Sequence, residues 1–266
     1  MKMITNLVQQ FCTPPSFPLT EFDARAFADA EKINIPFEGE NLAGYCWGEG
    51  KTVLLIHGWG SRASHMAFLG RFLAKAGFRV AAYDASAHFS TNPLLKKTTS
   101  NMFEYCKGIS AVAKSLGPVY AIVGHSFGSA CVAFTAAGIS AFNNYKISVE
   151  KLVLMSTPPT LVDVYKSFCR RDGIGIEGVP LLKSTLETEF GFVSEDYTVK
   201  AALQKLSTDI LFIHDEEDEE FPISDIYGLQ KSMPAVKILV TAGSGHQKIL
   251  ANRTMMAGVK EFLLDT

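Results

Sequence analysis

From residue 53 onward, short apolar runs alternate with stretches of amphipathic spacing. Runs at 53–56, 79–83, 120–123, 151–155, 209–214 and 236–240 are dominated by Val, Ile, Leu, Phe and Tyr, without the apolar–polar alternation of a half-wet strand. Helical patterns fall between them, at about 62–76, 100–115, 129–137, 224–233 and 247–264. Gly77 and Gly117-Pro118 stand where the first two helices should stop. Strands apolar throughout, separated by helices, predict a mostly parallel central sheet with helices on both faces. Upstream, 33–37 and 42–47 predict an antiparallel hairpin turning through Glu38-Gly39-Glu40-Asn41.

The alternation lapses between 158 and 207. That stretch carries helical patches at 161–171, 179–190 and 197–206 and a flexible Gly173-Ile174-Gly175-Ile176-Glu177-Gly178. It reads as a small helical cap inserted into a core made of 1–157 and 208–266. Residues 1–30 are the least informative. Pro14, Pro15 and Pro18 oppose regular structure there, and 22–27 suits a short helix or an edge strand.

At 266 residues the chain suits one large domain with a modest insertion. Its 47% hydrophobic and 20% charged content is that of a folded globular protein. A net charge of −2 argues against nucleic acid or an anionic membrane as a partner, since both select basic surfaces. The N-terminal apolar stretch is broken by Thr5, Asn6, Gln9 and Gln10, so no signal peptide is expected, and no apolar run is long enough for a membrane span. Five cysteines, odd in number and without a C-x-x-C pair, suit reduced thiols in a cytoplasmic protein.

The chemistry centres on Val119 to Ala130. An apolar strand meets Gly124-His125-Ser126-Phe127-Gly128, a G-x-S-x-G, and continues into a helix with the small residues Ser129 and Ala130. In that context the serine sits on a sharp strand-to-helix turn, and side chains at 124 or 128 would collide with the backbone. Gly48-Glu49-Gly50-Lys51-Thr52 is not a phosphate loop, because Tyr45 occupies the first glycine position and Lys51-Thr52 opens a strand rather than a helix.

In a parallel sheet the working residues gather at the carboxyl ends of strands. Besides Ser126, those ends carry His57-Gly58-Trp59-Gly60, the acidic loop His214 to Glu220, and Gly243-Ser244-Gly245-His246. A serine hydroxyl needs a base, and a histidine base needs an acid to fix its tautomer. Serine, acid, histidine is the chain order of the triad on this kind of sheet. The repeated carboxylates of the acidic loop show no metal-ligand spacing.

Together these segments, with Leu54 to Ser61 and Ile213 to Pro222, resemble the α/β-hydrolase fold superfamily from about residue 40 onward. The resemblance implies an α/β-hydrolase fold with a Ser-Asp-His triad. His214 to Pro222 is similar to the family's H-G-x-x-D-x-x-V-P pattern, which makes Asp218 the acid, with Glu217 in reserve; Asp215 stands where glycine is usual. His246 is then the base. The amides of Phe127 and Trp59 are the expected oxyanion donors. Asp84 to Ser90 departs from the family's G-H-G-x-S-like loop by lacking both glycines. His57 reads as structural, His125 is the variable residue of the elbow, and His65 and His214 carry no role. Tyr165, Phe168, Phe190 and Phe192 are candidate pocket walls, and Arg170-Arg171 a candidate anion clamp.

The resulting expectation is a cofactor-free serine hydrolase cleaving an ester, thioester or related acyl bond of a small, largely apolar substrate. Acyl transfer, carbon–carbon bond hydrolysis and perhydrolysis would use the same triad. A non-catalytic binding protein on this scaffold is the alternative of another class, although such proteins usually lose a triad member.

Overall fold

The computed structural model describes residues 2–88 and 97–265. The expected loop through Pro93 and the end of the Asp84–Ser90 segment therefore lie outside the described residues.

Helices α1 (Lys2–Cys12) and α2 (Glu21–Ala26) precede the hairpin β1 (Glu31–Phe37) and β2 (Glu40–Trp47). Then come β3 (Lys51–Ile56), α3 (Ala63–Ala74), β4 (Phe78–Tyr83), α4 (Met102–Leu116), β5 (Val119–His125), α5 (Phe127–Ala137) and β6 (Lys151–Met155). Helices α6 (Leu161–Arg171), α7 (Gly178–Phe190) and α8 (Val199–Leu203) follow. The chain closes with β7 (Asp209–Asp215), α9 (Ile223–Ser232), β8 (Lys237–Thr241), α10 (Gly245–Lys248) and α11 (Arg253–Leu264).

The eight strands form one sheet in the order β1-β2-β4-β3-β5-β6-β7-β8. Pairing is antiparallel at β1–β2 and β2–β4 and parallel from β4 through β8. This is the α/β-hydrolase fold, with its mostly parallel sheet flanked by helices.

The continuous apolar runs arise because both faces are covered. On β3, Leu54 and Ile56 join the core with α4 and α5, while Val53 and Leu55 join the core with α3 and α11. Each such side chain contributes about 1.5–3 kcal/mol when fully buried, which is why no polar residue interrupts the centre of the run.

Topology places the site. The chain leaves β3 for β4 on one side and returns to β5 on the other, so the crevice opens at the carboxyl ends of β3 and β5. Ile56 pairs with Gly124, which sets the loop after β3 beside the residues after β5.

The N-terminal segment differs from expectation. The prolines end a helix rather than prevent one, since α1 stops at Cys12, just before Pro14. Val8 and Cys12 are buried, with Leu7 and Phe11 packed beside them, so the partners of this face are α7 and, through Phe11 against Tyr165 and Phe168, α6. Residues 22–27 fall largely in α2, not in a strand, because Thr20 and Asp23 form a reciprocal capping box. The single helix expected at 247–264 is broken: Asn252 caps a new helix by accepting the Met255 amide. The third patch of the 158–207 segment shortens to α8, where the Thr198 side chain accepts the Ala201 amide. Among the described residues no helix is long and apolar enough to cross a membrane.

Candidate active site

Ser126 stands between β5 and α5 with φ 54° and ψ −129°, a left-handed conformation that non-glycine residues rarely adopt. The turn has no room for side chains at its flanks. A Cβ on Gly124 would come within 2.6 Å of the Ser129 Cα, and one on Gly128 would overlap the His57 carbonyl. A Cβ on Gly58 would lie 2.9 Å from the Ser126 Cβ, so the loop after β3 runs directly beside the serine.

Three side chains named from the sequence converge here. The Ser126 hydroxyl lies 2.8 Å from His246 Nε2, and His246 Nδ1 lies 2.9 Å from Asp218 Oδ2. All three are nearly buried. The arrangement fits an imidazole whose Nδ1–H donates to the carboxylate and whose Nε2 accepts from the hydroxyl. Asp218 Oδ1 accepts the amides of Glu220 and Phe221, at 2.9 and 3.0 Å. Burial pushes this carboxyl up, but the hydrogen bond and charge of His246, with the Phe221 amide, outweigh it and hold the group at about 2. Asp218 is therefore ionised at neutral pH. Glu217 is exposed, and its amide donates to Asp215 instead.

Asp215 carries a function that the sequence reading missed. Its carboxylate accepts the Gly245 amide at 2.9 Å, the Ser244 amide at 3.2 Å and the Thr241 hydroxyl at 2.7 Å, besides the Glu217 amide. Burial raises this carboxyl, yet the Thr241 hydroxyl and the amides prevail and lower it. One buried carboxylate thus ties the loop bearing His246 to the loop bearing Asp218. Its position at the carboxyl end of β7 was the only available signal.

Phe127 is the first residue of α5, so its N–H has no acceptor within the helix. Trp59 follows Gly58 in the loop that abuts the serine, and its ring packs edge-on to Phe127 and His88, with centroids at 5.3 and 4.6 Å. Pro15 lies against Gly60, so the N-terminal segment backs this loop.

His57 braces the same region. Its Nε2 accepts the Ala85 amide at 3.0 Å, which leaves Nδ1–H to donate to the Gly58 carbonyl at 2.7 Å. His65 pairs with Ser61, and His214 Nε2 lies 2.8 Å from the Phe221 carbonyl, beneath the acid. Among the described residues, no group of three or more His, Cys, Asp or Glu is placed to hold a metal ion.

A cavity of about 840 Å³, open mouth included, meets Ser126. Tyr165, Phe168, Phe190 and Phe192 all line it, joined by Phe11 from α1 and Phe103 from α4. Phe11 packs edge-on to Tyr165 and Phe168, with centroids at 5.4 and 5.1 Å. Of the two arginines, Arg171 lines the cavity and pairs with Asp172, whereas Arg170 donates to the Glu220 carbonyl.

Comparisons with known proteins agree with this architecture. The chain resembles an esterase of Pyrococcus furiosus, with a TM-score of 0.66 at 19% identity over 94% of this chain and 95% of that one. It also resembles the esterase Est1E of Butyrivibrio proteoclasticus (TM-score 0.63, 16% identity, 88% and 97% covered). The thioesterase domain of the curacin biosynthetic pathway gives a TM-score of 0.61 at 17% identity, with 89% and 99% covered. At these identities the likeness is one of fold. A serine hydrolase-like protein of Dictyostelium discoideum is 28% identical over 120 residues, 42% of this chain. The chain spans about a third, 33%, of that curated relative's length. The sequence model of the alpha/beta hydrolase family matches residues 53–257, most of the chain, and the protein thus belongs to the alpha/beta hydrolase family.

Proposed function

We propose that this hydrolase uses Ser126, His246 and Asp218 as a catalytic triad to cleave an ester, thioester or related acyl bond of a small, largely apolar substrate. The observation that carries the reading is the continuous hydrogen-bonded line from Ser126 Oγ through His246 to Asp218, with links of 2.8 and 2.9 Å.

In the first half-reaction Ser126 Oγ attacks the acyl carbon while His246 Nε2 takes the hydroxyl proton. The resulting imidazolium is stabilised by ionised Asp218. The carbonyl oxygen becomes an oxyanion, held by the amides of Phe127 and Trp59. Collapse of this intermediate expels the leaving group, which takes the proton from Nε2, and leaves an acyl-serine. Water then repeats the sequence, with His246 as base again, and frees the acid and the serine.

Residues 158–207 act as the cap over a core of 1–157 and 208–266, and the aromatic wall of the cavity, shared by cap, α4 and α1, receives the apolar part of the substrate. A reduced, cytoplasmic setting suits the five free cysteines, all of which are buried.

The test is labelling with a fluorophosphonate followed by mapping of the modified residue. The expected site is Ser126, and Ser126→Ala should abolish both labelling and turnover of an activated short-chain ester while the circular dichroism spectrum is kept. Undiminished turnover by Ser126→Ala would end the reading.

A further inference from the structure

We infer that Glu220 selects substrates by the charge of their leaving group, favouring those with a positive charge near the scissile bond and disfavouring anionic ones. This rests on the serine-hydrolase reading above. The sequence alone made Glu220 one of several carboxylates on a solvated loop, and Glu216, Glu217 and Glu219 are indeed exposed.

Glu220 behaves differently. Its side chain is one-third exposed, and Oε2 lies 3.7 Å from His246 Nε2, on the cavity side of the ring. Ser167 of α6 points its hydroxyl at the same oxygen from 3.3 Å. The main chain at 220 is held independently, with its amide on Asp218 Oδ1 and its carbonyl accepting from Arg170. The carboxylate is thereby presented into the cavity from a fixed backbone.

Its distance from Nε2 decides what it meets. During acylation the leaving group must take its proton from Nε2, so the leaving atom passes within hydrogen-bonding reach of that nitrogen. A carboxylate 3.7 Å from the same nitrogen borders the leaving group rather than the far end of the acyl chain. Among the described residues the other charged side chain lining the cavity is Arg171, which already pairs with Asp172 at 3.1 Å. The rest of the wall is mainly aromatic and aliphatic, so an ammonium group gains from this carboxylate, and a carboxylate or phosphate on the leaving group is repelled. Partial exposure screens the effect, which sets the expected discrimination at about tenfold rather than several thousandfold.

The experiment compares kcat/KM for three hexanoate esters with the same acyl group: those of choline, ethanol and glycolate. The parent enzyme should prefer the choline ester to the glycolate ester. Glu220→Gln should lower the choline-to-glycolate ratio about tenfold, and Glu220→Lys should invert the preference. A ratio unchanged within about twofold in both variants overturns the assignment, as does a parent that favours the glycolate ester whatever the variants do. Ser126→Ala assayed on the ethyl ester separates the two readings. Loss of turnover there with an unmoved ratio in the Glu220 variants sinks the Glu220 assignment alone, whereas persistent turnover sinks the hydrolase reading beneath it.

Discussion

His125, the residue immediately before Ser126, donates from Nε2 to the main-chain carbonyl of His246 at 2.8 Å, and the two rings lie 5.1 Å apart. The strand that leads into Ser126 therefore also holds the backbone of His246, 121 positions further along the sequence. His125 is fully buried. Burial, with the neighbouring charge of His246, lowers it to about 3, so it is neutral and its Nε2–H remains a donor throughout the physiological range.

Removing this contact should misplace His246 without touching the substrate. For His125→Ala we expect kcat to fall about 10- to 100-fold with little change in KM, from the loss of one buried hydrogen bond worth about 1–3 kcal/mol. His125→Gln can restore a donor and should recover part of the loss. Steady-state kinetics of both variants decide the matter; equal kcat in parent and His125→Ala would show that the bond positions nothing.

Asp218→Asn keeps the shape of the acid but offers Nδ1 of His246 an amide. On the behaviour of buried triad acids, kcat should drop by about 10³–10⁴ with the fold retained. Circular dichroism and turnover measured on one preparation test this. Full activity in Asp218→Asn would return the exposed Glu217 to consideration as the acid.

Asp215→Ala strands the Gly245, Ser244 and Glu217 amides and the Thr241 hydroxyl at once. Unmade bonds at buried groups cost about 1–3 kcal/mol each, and solvent entering a partly buried loop recovers some of that. The expected outcome is a loss of about 3 kcal/mol in urea unfolding and a lower kcat, since the loop bearing His246 loosens. Asp215→Asn, which keeps an acceptor oxygen, should fall between parent and alanine. Unchanged stability in Asp215→Ala would mean that the sheet alone holds the loop.

Asp84 gives a pH signature. It accepts the Ala63 amide at 2.7 Å, yet burial raises its carboxyl from the ordinary 3.8 to about 7, the Ala63 bond and the Arg62 charge only partly offsetting this. Between those values the folded chain keeps a proton that the unfolded chain releases, so this group lowers stability as pH rises from about 4 to about 7. Asp84→Asn should therefore stabilise the protein more at pH 8 than at pH 4, by thermal unfolding in a buffer series. His88 and His125 act in the opposite direction. Burial lowers them from 6.5 to about 4 and about 3, so their contribution is complete above about 6.5 and is lost as pH falls toward those values. An Asp84→Asn gain that is the same at both pH values would contradict the account.

What the residues determined unaided was everything that depends on local spacing. Apolar runs marked the strands, because a strand buried on both faces tolerates no polar break. Gly124 and Gly128 marked the turn, because no Cβ fits there. The order of Ser126, Asp218 and His246 pointed to three strand ends, and family resemblance separated Asp218 from Glu217 before any distance was known. Tertiary structure decided what depends on neighbours far away in the chain. Whether α1 folds depends on α6 and α7, which cover its apolar face, and the prolines that follow it gave no hint of them. Asp215 and Glu220 sit in one acidic run, indistinguishable by composition. Only the pairing of β7 with β8 turns the first onto the His246 loop, and the approach of α6, with the Asp218 carboxylate on its amide, holds the second beside His246 Nε2.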